Sequence, residues 1–595
     1  MTRGVRGMRK ALVAAALAGL SALALSAGLT AGEPQKPVLT QSAAAPARAD
    51  CAANPDRQAF FGDLHLHTAL SFDAYTLMSS RVGPEDAYRF ARGETILYYG
   101  DPVRRRVPFD FLAVTDHAEN MGVFNQLEDP DSVLSQTEVG KMARLGGTEN
   151  FFKAMALMAR GATIGDNAPA VIRATWQRQV DAANAHYRPC TFTTFIGYEW
   201  TVNPDNQNLH RNVIFRGDSA PLPFTRFDSD KVEALWSWLA TLRGQGVEAL
   251  AIPHNANVSN GLMYNMLKSD GSPVDAEWGR LRQANEPLAE IVQNKGTSET
   301  HPLLSPNDEF AGFELSPWLL AGKPIRGKVP GSFWRDALGR GLEVERRTGV
   351  NPYKDGAVGA GDLHGGLSVS SEADYGGVGR GHMGGGKPSA EAMLRIFADA
   401  AKRDVQNTDV VASSAGLTGV WAEANTRDAI YAALRRKETF ATSGTRIRVR
   451  LFAGDLPANL LANRDWVRRA YAQGVPMGAD LQARSAPVFA YEALKDPDGQ
   501  RLQRVQIVKV WIDDKGRHEQ VYDAAVAPAG AVQFKGLWRD PSFRKGQAAV
   551  YYARVIELPS PRWTTLRARE YKLKLPEGLP ETIQERAWTS PIWVR

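Results

Sequence analysis

The sequence predicts an α/β protein in which a βα barrel is followed by a β-rich C-terminal region. Short apolar strands alternate with helical or loop segments from Ala59 to about Arg448. Histidine and acidic residues stand where several of these strands end. After about Ile447 the pattern changes to alternating strands with Asp-Gly and Lys-Gly turns. Because the C-terminal strand ends of a barrel converge on one mouth, the polar residues are expected to meet there.

The chain divides into four predicted segments. Its basic start and the uncharged, alanine- and leucine-rich run from Ala11 to Leu29 indicate a secretory signal peptide, with an uncleaved membrane anchor as the alternative. No second apolar stretch is long enough to cross a bilayer, so we expect a periplasmic or secreted protein without a stable membrane span after cleavage. The segments are a signal peptide at 1–31, a disordered tether at 32–58, the barrel at 59–448 and the β-rich region at 449–595.

The barrel assignment depends on individual elements. Lys231 to Arg243 is predicted as a helix, with Asp230 and Glu233 as a capping-box pair, and Thr426 to Lys437 as another. The predicted barrel strands are Phe109 to Val114, Phe192 to Tyr198, Val213 to Phe215, Val247 to Ile252, Ala289 to Val292, Gly312 to Leu315 and Ala357 to Gly361. The C-terminal strands are Pro487 to Tyr491, Val505 to Ile512 and Ala548 to Val555.

The composition is that of a soluble globular protein, with 44% hydrophobic and 23% charged residues in 595. The formal charge is +6, but four of these charges lie in the leader, which leaves +2 for the rest. Nucleic-acid binding is therefore not expected. Cys51 and Cys190 can form a disulfide in an exported chain or remain free thiols, and the sequence leaves both open. It also leaves the oligomeric state open.

Six of the ten histidines follow extended apolar runs. In Phe60 to Thr68 the strand ends in His65-Leu66-His67, where the period of two puts both rings on one face. The other motifs are Thr115-Asp116-His117, Glu199 with His210 eleven residues later, Ile252-Pro253-His254 and Asp362-Leu363-His364. Imidazole and carboxylate ligands without thiolate suit zinc, manganese or ferrous iron and leave positions for water and substrate.

Together these motifs resemble the polymerase and histidinol phosphatase (PHP) superfamily of metal-dependent phosphoesterases. The resemblance spans about Ala59 to Arg448 and implies a distorted βα barrel. More narrowly, Phe61 to Thr68, Phe195 to Trp200 and Thr439 to Thr445 resemble an exported bacterial branch of unassigned function.

The resemblance implies two to three divalent ions. It would place His65, His67, Glu199 and Asp362 on a first metal, and Glu199, His210 and His254 on a second. The third would be held by Asp73, His117 and His364. Asp73 departs from the pattern, because many members have a histidine at that place.

The implied function is hydrolysis of a phosphate monoester or diester in a small substrate by a metal-activated water. Two neighbouring ions lower the pKa of a shared water and neutralise the departing oxygen, so no protein nucleophile is required. Glu199, Asp362 and His364 are the expected catalytic residues, and Arg211, Lys295 and Arg446 are candidate substrate contacts.

Three alternatives remain. The same metals would accept sulfate or phosphonate esters. An amidohydrolase-like barrel also opens with His-x-His, but that class typically lacks the bridging glutamate and the closing Asp-x-His. A non-catalytic metal-binding protein is the third possibility.

Overall fold

A large mixed sheet joins strands from both the predicted barrel and the predicted β-rich region. The protein is represented by a computed structural model that describes residues 38–41, 51–316, 319, 326–375, 389–402 and 409–595. Leu39–Arg595 form one compact unit. The predicted signal peptide lies outside the described residues.

The strands up to residue 442 are mostly short and buried. They are β1 (Leu39–Gln41), β2 (Gln58–Asp63), β3 (Ile96–Tyr98), β4 (Asp101–Val103), β5 (Phe111–Val114), β6 (Thr193–Trp200), β7 (Arg211–Phe215), β8 (Ser219–Pro221), β9 (Ala249–Pro253), β10 (Leu288–Gln293), β11 (Gly296–Thr297), β12 (Gly356–Gly359), β13 (Leu417–Ala422) and β14 (Thr439–Thr442).

The later strands include a long hairpin. They are β15 (Arg448–Gly454), β16 (Gly474–Pro476), β17 (Asp480–Leu481), β18 (Val488–Leu494), β19 (Leu502–Asp513), β20 (Gly516–Ala531), β21 (Gln533–Arg539), β22 (Ala549–Glu557), β23 (Ser560–Pro561), β24 (Thr582–Ile583), β25 (Arg586–Thr589) and β26 (Ile592–Val594).

The helices lie mainly between the strands of the first half. They are α1 (Phe72–Thr76), α2 (Pro84–Ala91), α3 (Val133–Gln136), α4 (Glu138–Arg144), α5 (Gly147–Ala159), α6 (Ala168–His186), α7 (Val232–Gly244), α8 (Ala276–Asn285), α9 (Trp334–Thr348), α10 (Ala390–Lys402), α11 (Arg427–Arg436), α12 (Trp466–Gln473) and α13 (Trp563–Tyr571). Among the residues described, no helix combines the length and apolar character that a membrane span needs.

The strands that precede the histidine motifs are neighbours in the sheet. The order is β13-β2-β5-β6-β7-β9, in which β2, β5 and β6 are parallel and the other pairs are antiparallel. On the other side β14, β25, β22 and β26 continue the same sheet. The sheet is thus mixed, whereas the barrel prediction implies parallel strands.

The hydrogen-bonded order of the described strands does not close into a ring. The parallel pair β10 and β12 forms a separate small sheet with β11. This sheet contacts β13 and β14 through side chains: the Thr418 hydroxyl donates to the Gly359 carbonyl at 2.6 Å, and the Thr439 hydroxyl to the Ala357 carbonyl at 2.9 Å. The molecule is therefore a mixed α/β protein.

One apolar cluster collects side chains from both sheets. Since alternate residues of a strand share a face, each strand sends one row of side chains to the cluster and the next row to the opposite side. Ile430 and Leu434 of α11 complete it. The strand members include Phe60, Phe111, Phe195, Ile214, Leu250, Leu288, Val358 and Val420, from β2, β5, β6, β7, β9, β10, β12 and β13.

Most predicted elements are confirmed within a few residues, but two details are wrong. Gly312 to Leu315 forms a turn and not a strand, and Glu314 has a positive φ of 42°, which breaks an extended run. At the start of α7 no side chain caps the helix. Glu233 instead accepts hydrogen bonds from Ser269 and from the Trp278 indole.

The N-terminal part of the unit is tied to the sheet. Cys51 and Cys190 form a disulfide, which settles the pairing that the sequence left open. Within the predicted tether, β1 pairs with β8, so a strand occurs where disorder was predicted. The predicted boundary between 448 and 449 stays a prediction.

Candidate metal centre

The His-x-His motif follows β2 directly, and both rings enter one buried space. The Nε2 atoms of His65 and His67 are 3.2 Å apart. Asp63 fixes this turn, because its Oδ1 accepts from the backbone N–H groups of His65 and Gly361 at 3.0 Å each. Its Oδ2 accepts from the Ser368 hydroxyl at 2.5 Å. The end of β2 is thereby tied to the segment that follows β12.

Two carboxylates join these rings in a first group. His65 Nε2 lies 3.0 Å from Glu199 Oε2 and 3.2 Å from Asp362 Oδ1. His67 Nε2 lies 3.1 and 3.4 Å from the same two atoms. Four ligands at the usual zinc distances would be about 3.3 Å apart in a tetrahedron. The four atoms therefore have the spacing of ligands around one ion.

Glu199 lies at the centre of the cluster. It is the penultimate residue of β6 and is buried. Its Oε1 lies 2.7 Å from His210 Nδ1, and Oε2 lies 3.5 Å from His254 Nε2. Because its two oxygens face different groups of histidines, Glu199 is placed to bridge two ions.

A third group surrounds Asp73, which α1 supplies. Its Oδ2 lies 3.3 Å from His117 Nε2 and 3.2 Å from His364 Nε2. The His364 ring stacks on that of His67 with centroids 4.0 Å apart, so this group adjoins the first. Ligand atoms of His67, His117 and His364 also lie within 4.8 Å of one another.

Hydrogen bonds fix which ring nitrogen carries hydrogen in five of the histidines. In each, one nitrogen faces an acceptor at 2.6 to 3.0 Å and must donate to it. The two hydroxyl acceptors, Ser71 and Thr201, use their own hydrogens on Asp116 and Glu199. The acceptors are Glu290 for His65, Ser71 for His67, Thr201 for His117, Asn203 for His210 and the Asp362 carbonyl for His364.

In the neutral imidazole, the second nitrogen of each ring then presents a lone pair to a carboxylate oxygen, at 2.7 to 3.3 Å. Two lone pairs at this distance repel each other unless a cation lies between them. Metal-bound histidines commonly donate their other N–H to a carboxylate, carbonyl or water, which orients the ring. The donor set and its orientation fit divalent metal ions.

His254 is the sixth histidine, and neither of its buried ring nitrogens has a hydrogen-bond partner among the described residues. Burial lowers its pKa to about 4, and the neighbouring His65 acts in the same direction. Burial also lowers the pKa of His210, although Glu199 opposes this shift. Both rings therefore stay neutral at pH 7, the form that binds metal.

The two central carboxylates stay ionised. Burial works against ionisation of Glu199, but its interaction with His117 holds its pKa well below its usual range. Burial likewise opposes ionisation of Asp362, and His65 and His67 lower its pKa in the same way.

The backbone is strained at two positions next to the cluster. Asp362 has φ 52° and Asn255, next to His254, has φ 64°. Such left-handed residues cost roughly 1–3 kcal/mol each and concentrate at functional sites. Asn294 stabilises the first, since its side-chain amide donates to the carbonyls of Gly361 and Asp362 at 2.8 and 2.7 Å.

A sequence profile described as "Protein of unknown function (DUF3604)" matches residues 54–529 and 526–595. The chain belongs to the DUF3604 family. A search of curated proteins gives no match to this member of the family.

Among solved structures, this DUF3604 chain is similar to a two-domain protein from Bacteroides vulgatus that contains a predicted PHP-like metal-dependent phosphoesterase. The identity is 12%, with 91% of this chain and 100% of the other covered, and the TM-score is 0.29.

All nine metal-ligating residues named from the resemblance come together in this DUF3604 protein. Asp73, the departure from the PHP pattern, contacts both of its assigned partners, His117 and His364. The described geometry contains the groups His65-His67-Glu199-Asp362 and Glu199-His210-His254. Their roles as ligands stay predictions.

The three candidate cations have different surroundings. Lys295 is half-buried, and its Nζ donates to Asn257 Oδ1 at 2.6 Å. The Arg211 guanidinium donates to Glu286 at 2.9 Å, and its side chain leaves β7 on the face opposite to that of His210. Arg446 donates to the carbonyls of Val107 and Pro108. Burial lowers the pKa of Lys295, and Asp362 and Glu290 at the cluster act on it in the opposite direction.

Sequence reasoning missed the residues that orient the ligands. Glu290 Oε2 accepts from His65 Nδ1 at 2.9 Å, and Glu290 Oε1 accepts from Gln293 at 2.6 Å. Gln293 donates onward to Asn255 at 2.9 Å. One signal was available: Glu290 is an acidic residue within the apolar strand β10, where an unpaired charge would be costly.

Proposed function

We propose that the protein is an exported metal-dependent hydrolase that cleaves a phosphate ester in a small substrate. The observation that carries the proposal is the arrangement around Glu199. Histidine lone pairs from the ends of β2, β5 and β7 and from the segment after β12 face carboxylate oxygens at 2.7 to 3.3 Å, while the opposite ring nitrogens are held by acceptors. Export rests on the basic and apolar N-terminal sequence.

Two to three divalent ions, of zinc, manganese or iron, would activate water and stabilise negative charge on phosphoryl oxygens. His65, His67, Glu199 and Asp362 would hold the first, and Glu199, His210 and His254 the second. Asp73, His117 and His364 would hold the third. Glu199, Asp362 and His364 are the residues proposed as catalytic, because each connects two parts of the cluster.

Lys295 is proposed to bind the substrate's phosphoryl oxygens. Its ammonium group makes no ion pair with any carboxylate in the described part of the chain, and its hydrogen-bond partner Asn257 is a neutral amide. Burial lowers its pKa to about 8, against the effect of Asp362 and Glu290, so it remains mostly charged at pH 7. A half-buried cation without an anionic partner is suited to an anionic substrate.

The PHP-type distorted barrel is part of this proposal. Support comes from the apolar cluster that receives side chains from β2, β5, β6, β7, β9, β10, β12 and β13. Such a shared interior is typical of a barrel whose strands are not all joined by hydrogen bonds.

The test is a set of initial rates for leaderless protein after metal removal and after addition of manganese or zinc. The substrates are matched nitrophenyl phosphate, phosphodiester, phosphonate, sulfate and carboxylate esters. Asp362→Ala and His65→Ala should abolish metal-restored phosphate hydrolysis, while His518→Ala, which removes a histidine from β20, should retain it.

Metal-dependent turnover of a sulfate, phosphonate or carboxylate ester without phosphate hydrolysis would move the assignment to that ester. Metal binding without turnover of any ester would favour a non-catalytic metal-binding protein. Full activity of folded Asp362→Ala would refute the site assignment.

A further inference from the structure

A row of aromatic rings leads from the third metal group to the surface. The Phe72 ring lies 5.3 Å from that of His117, between centroids. Phe72 also stacks on Phe151, with centroids 5.9 Å apart and planes inclined by 1°. Phe151 contacts Phe152 at 5.4 Å in an edge-to-face arrangement, and Phe152 is 48% exposed. The row therefore joins a ligand of the cluster to solvent.

The segment that supplies the outer rings exposes other apolar side chains. Val133, Leu145 and Phe152 lie in or beside α3, α4 and α5, and they are 43%, 69% and 48% exposed. Partly buried methionines at 142, 155 and 158 pack, like Phe72, against the apolar core of this segment. Single exposed apolar residues are ordinary, but an exposed ring at the end of a row of rings that starts at a polar site indicates a binding surface.

We propose that this row, Phe72, Phe151 and Phe152, binds an apolar alcohol group of the substrate, so that the ester is that of an alkyl or aryl alcohol. The inference rests on the proposed function for the anionic half of the substrate. The cluster and Lys295 would take the charged head, while the rings take the apolar part.

The test measures binding of methyl-, butyl- and hexylphosphonate to the metal-loaded full-length mature protein by titration calorimetry. Each buried methylene is worth about a fourfold gain in affinity when fully desolvated. We expect a gain of about two- to fourfold per methylene. Phe151→Ala should remove most of this dependence on chain length, and Phe151→Leu should retain part of it.

Phe543→Ala is the matched control, because Phe543 is a partly buried phenylalanine of the C-terminal region. It should keep the wild-type dependence on chain length. Equal affinity for all three phosphonates would overturn the inference, as would failure of hexylphosphonate to bind. Dependence on chain length that survives Phe151→Ala unchanged would also overturn it.

The two proposals fail separately. If phosphate esters are hydrolysed but chain length has no effect, the function stands and the aromatic site falls. If no phosphate ester is hydrolysed but hexylphosphonate binds better than methylphosphonate through Phe151, the apolar site stands and the function falls.

Discussion

Two buried polar clusters in this protein balance their charge in different ways. In the first, Glu299 and Asp308 are matched by Arg335 and Arg554, with contacts of 2.6 to 3.2 Å. The Tyr552 hydroxyl donates to Glu299 as well. Both carboxylates keep lowered pKa values, since the two guanidinium groups outweigh the effect of burial.

The second cluster, around Glu199, contains carboxylates and imidazoles, and no arginine of the described residues forms an ion pair with it. Four of its histidines direct a ring N–H away from the centre. In the neutral ring, the nitrogen that faces inward carries a lone pair. A buried charge must be compensated. The chain thus supplies its own cations in one place, and in the other it places donor atoms that could hold metal ions.

The largest expected effect is at the centre of the second cluster. Glu199→Gln keeps the shape of the side chain but replaces one carboxylate oxygen with an amide nitrogen, which has no lone pair available for a metal ion. Because ions supply several kcal/mol of charge stabilisation, we expect turnover to fall about 1,000-fold or more, together with metal content. Metal analysis and rate measurements on the same preparation test this. Glu492→Gln is the control, and undiminished metal content would contradict the bridging role.

Substitutions in the first cluster should lower the stability of the protein and leave its metal content unchanged. Arg554→Met leaves Glu299 and Asp308 short of one cation, and breaking a buried pair costs about 3–5 kcal/mol. A lower unfolding midpoint with unchanged metal occupancy is expected. Arg517→Met, which removes a more exposed ion pair with Asp336, should cost at most about 1 kcal/mol. Loss of metal in Arg554→Met would show that the clusters are coupled.

Asp355 is intermediate between the two clusters, because it is a buried carboxylate whose charge a nearby arginine compensates only in part. It is buried, and Arg282 lies 3.8 Å away, so burial outweighs that cation and raises its pKa to about 7. The folded state then holds a proton that the unfolded state releases near pH 4. Wild-type stability from this group is complete below about pH 4 and is lost as the pH rises through about 7. As the pH rises from 4 to 8, the free energy of unfolding of Asp355→Asn should therefore increase relative to that of wild type by on the order of 3 kcal/mol. An unfolding difference that is the same at both pH values would contradict the raised pKa.

The smallest effect is expected at Glu290, which orients His65. Glu290→Gln should weaken metal binding about 10- to 100-fold, as is usual for partners of metal-bound histidines. Competition with a chromogenic chelator measures this. Gln293→Glu is a companion variant, because it removes the side-chain N–H that donates to Glu290 and keeps a side-chain oxygen. A loss much greater than 100-fold would make Glu290 a direct ligand, with His65 and His254.

Sequence reasoning found the residues that meet in the cluster because their pattern is local. His65 and His67 share a face through the period of a strand, and the other motifs stand at strand ends. Strand direction was not predictable in this way: β7 and β9 read as ordinary apolar runs, yet they pair antiparallel. The capping-box prediction at Asp230 failed because Glu233 finds stronger partners in Ser269 and Trp278, which are distant in sequence.

The partners of the orienting residues could not be predicted for the same reason. Glu290 lies 225 residues from His65, and Ser368 lies 305 residues from Asp63. No periodicity connects such pairs, and only the folded chain brings them together. The surroundings of two candidate substrate contacts were also not predictable: Arg211 and Arg446 stand beside motifs in sequence, but their guanidinium groups donate to Glu286 and to backbone carbonyls.

The bond between Ser368 and Asp63 has a consequence for assembly. The strand that carries the first two ligands depends on a residue made about 300 positions later, and β2 also depends on its neighbour β13. A ribosome must therefore synthesise most of the chain before His65 and His67 can be held in place. A shorter nascent chain would hold the residues of the proposed metal site only as scattered side chains, so metal binding at this site would follow the folding of nearly the whole chain.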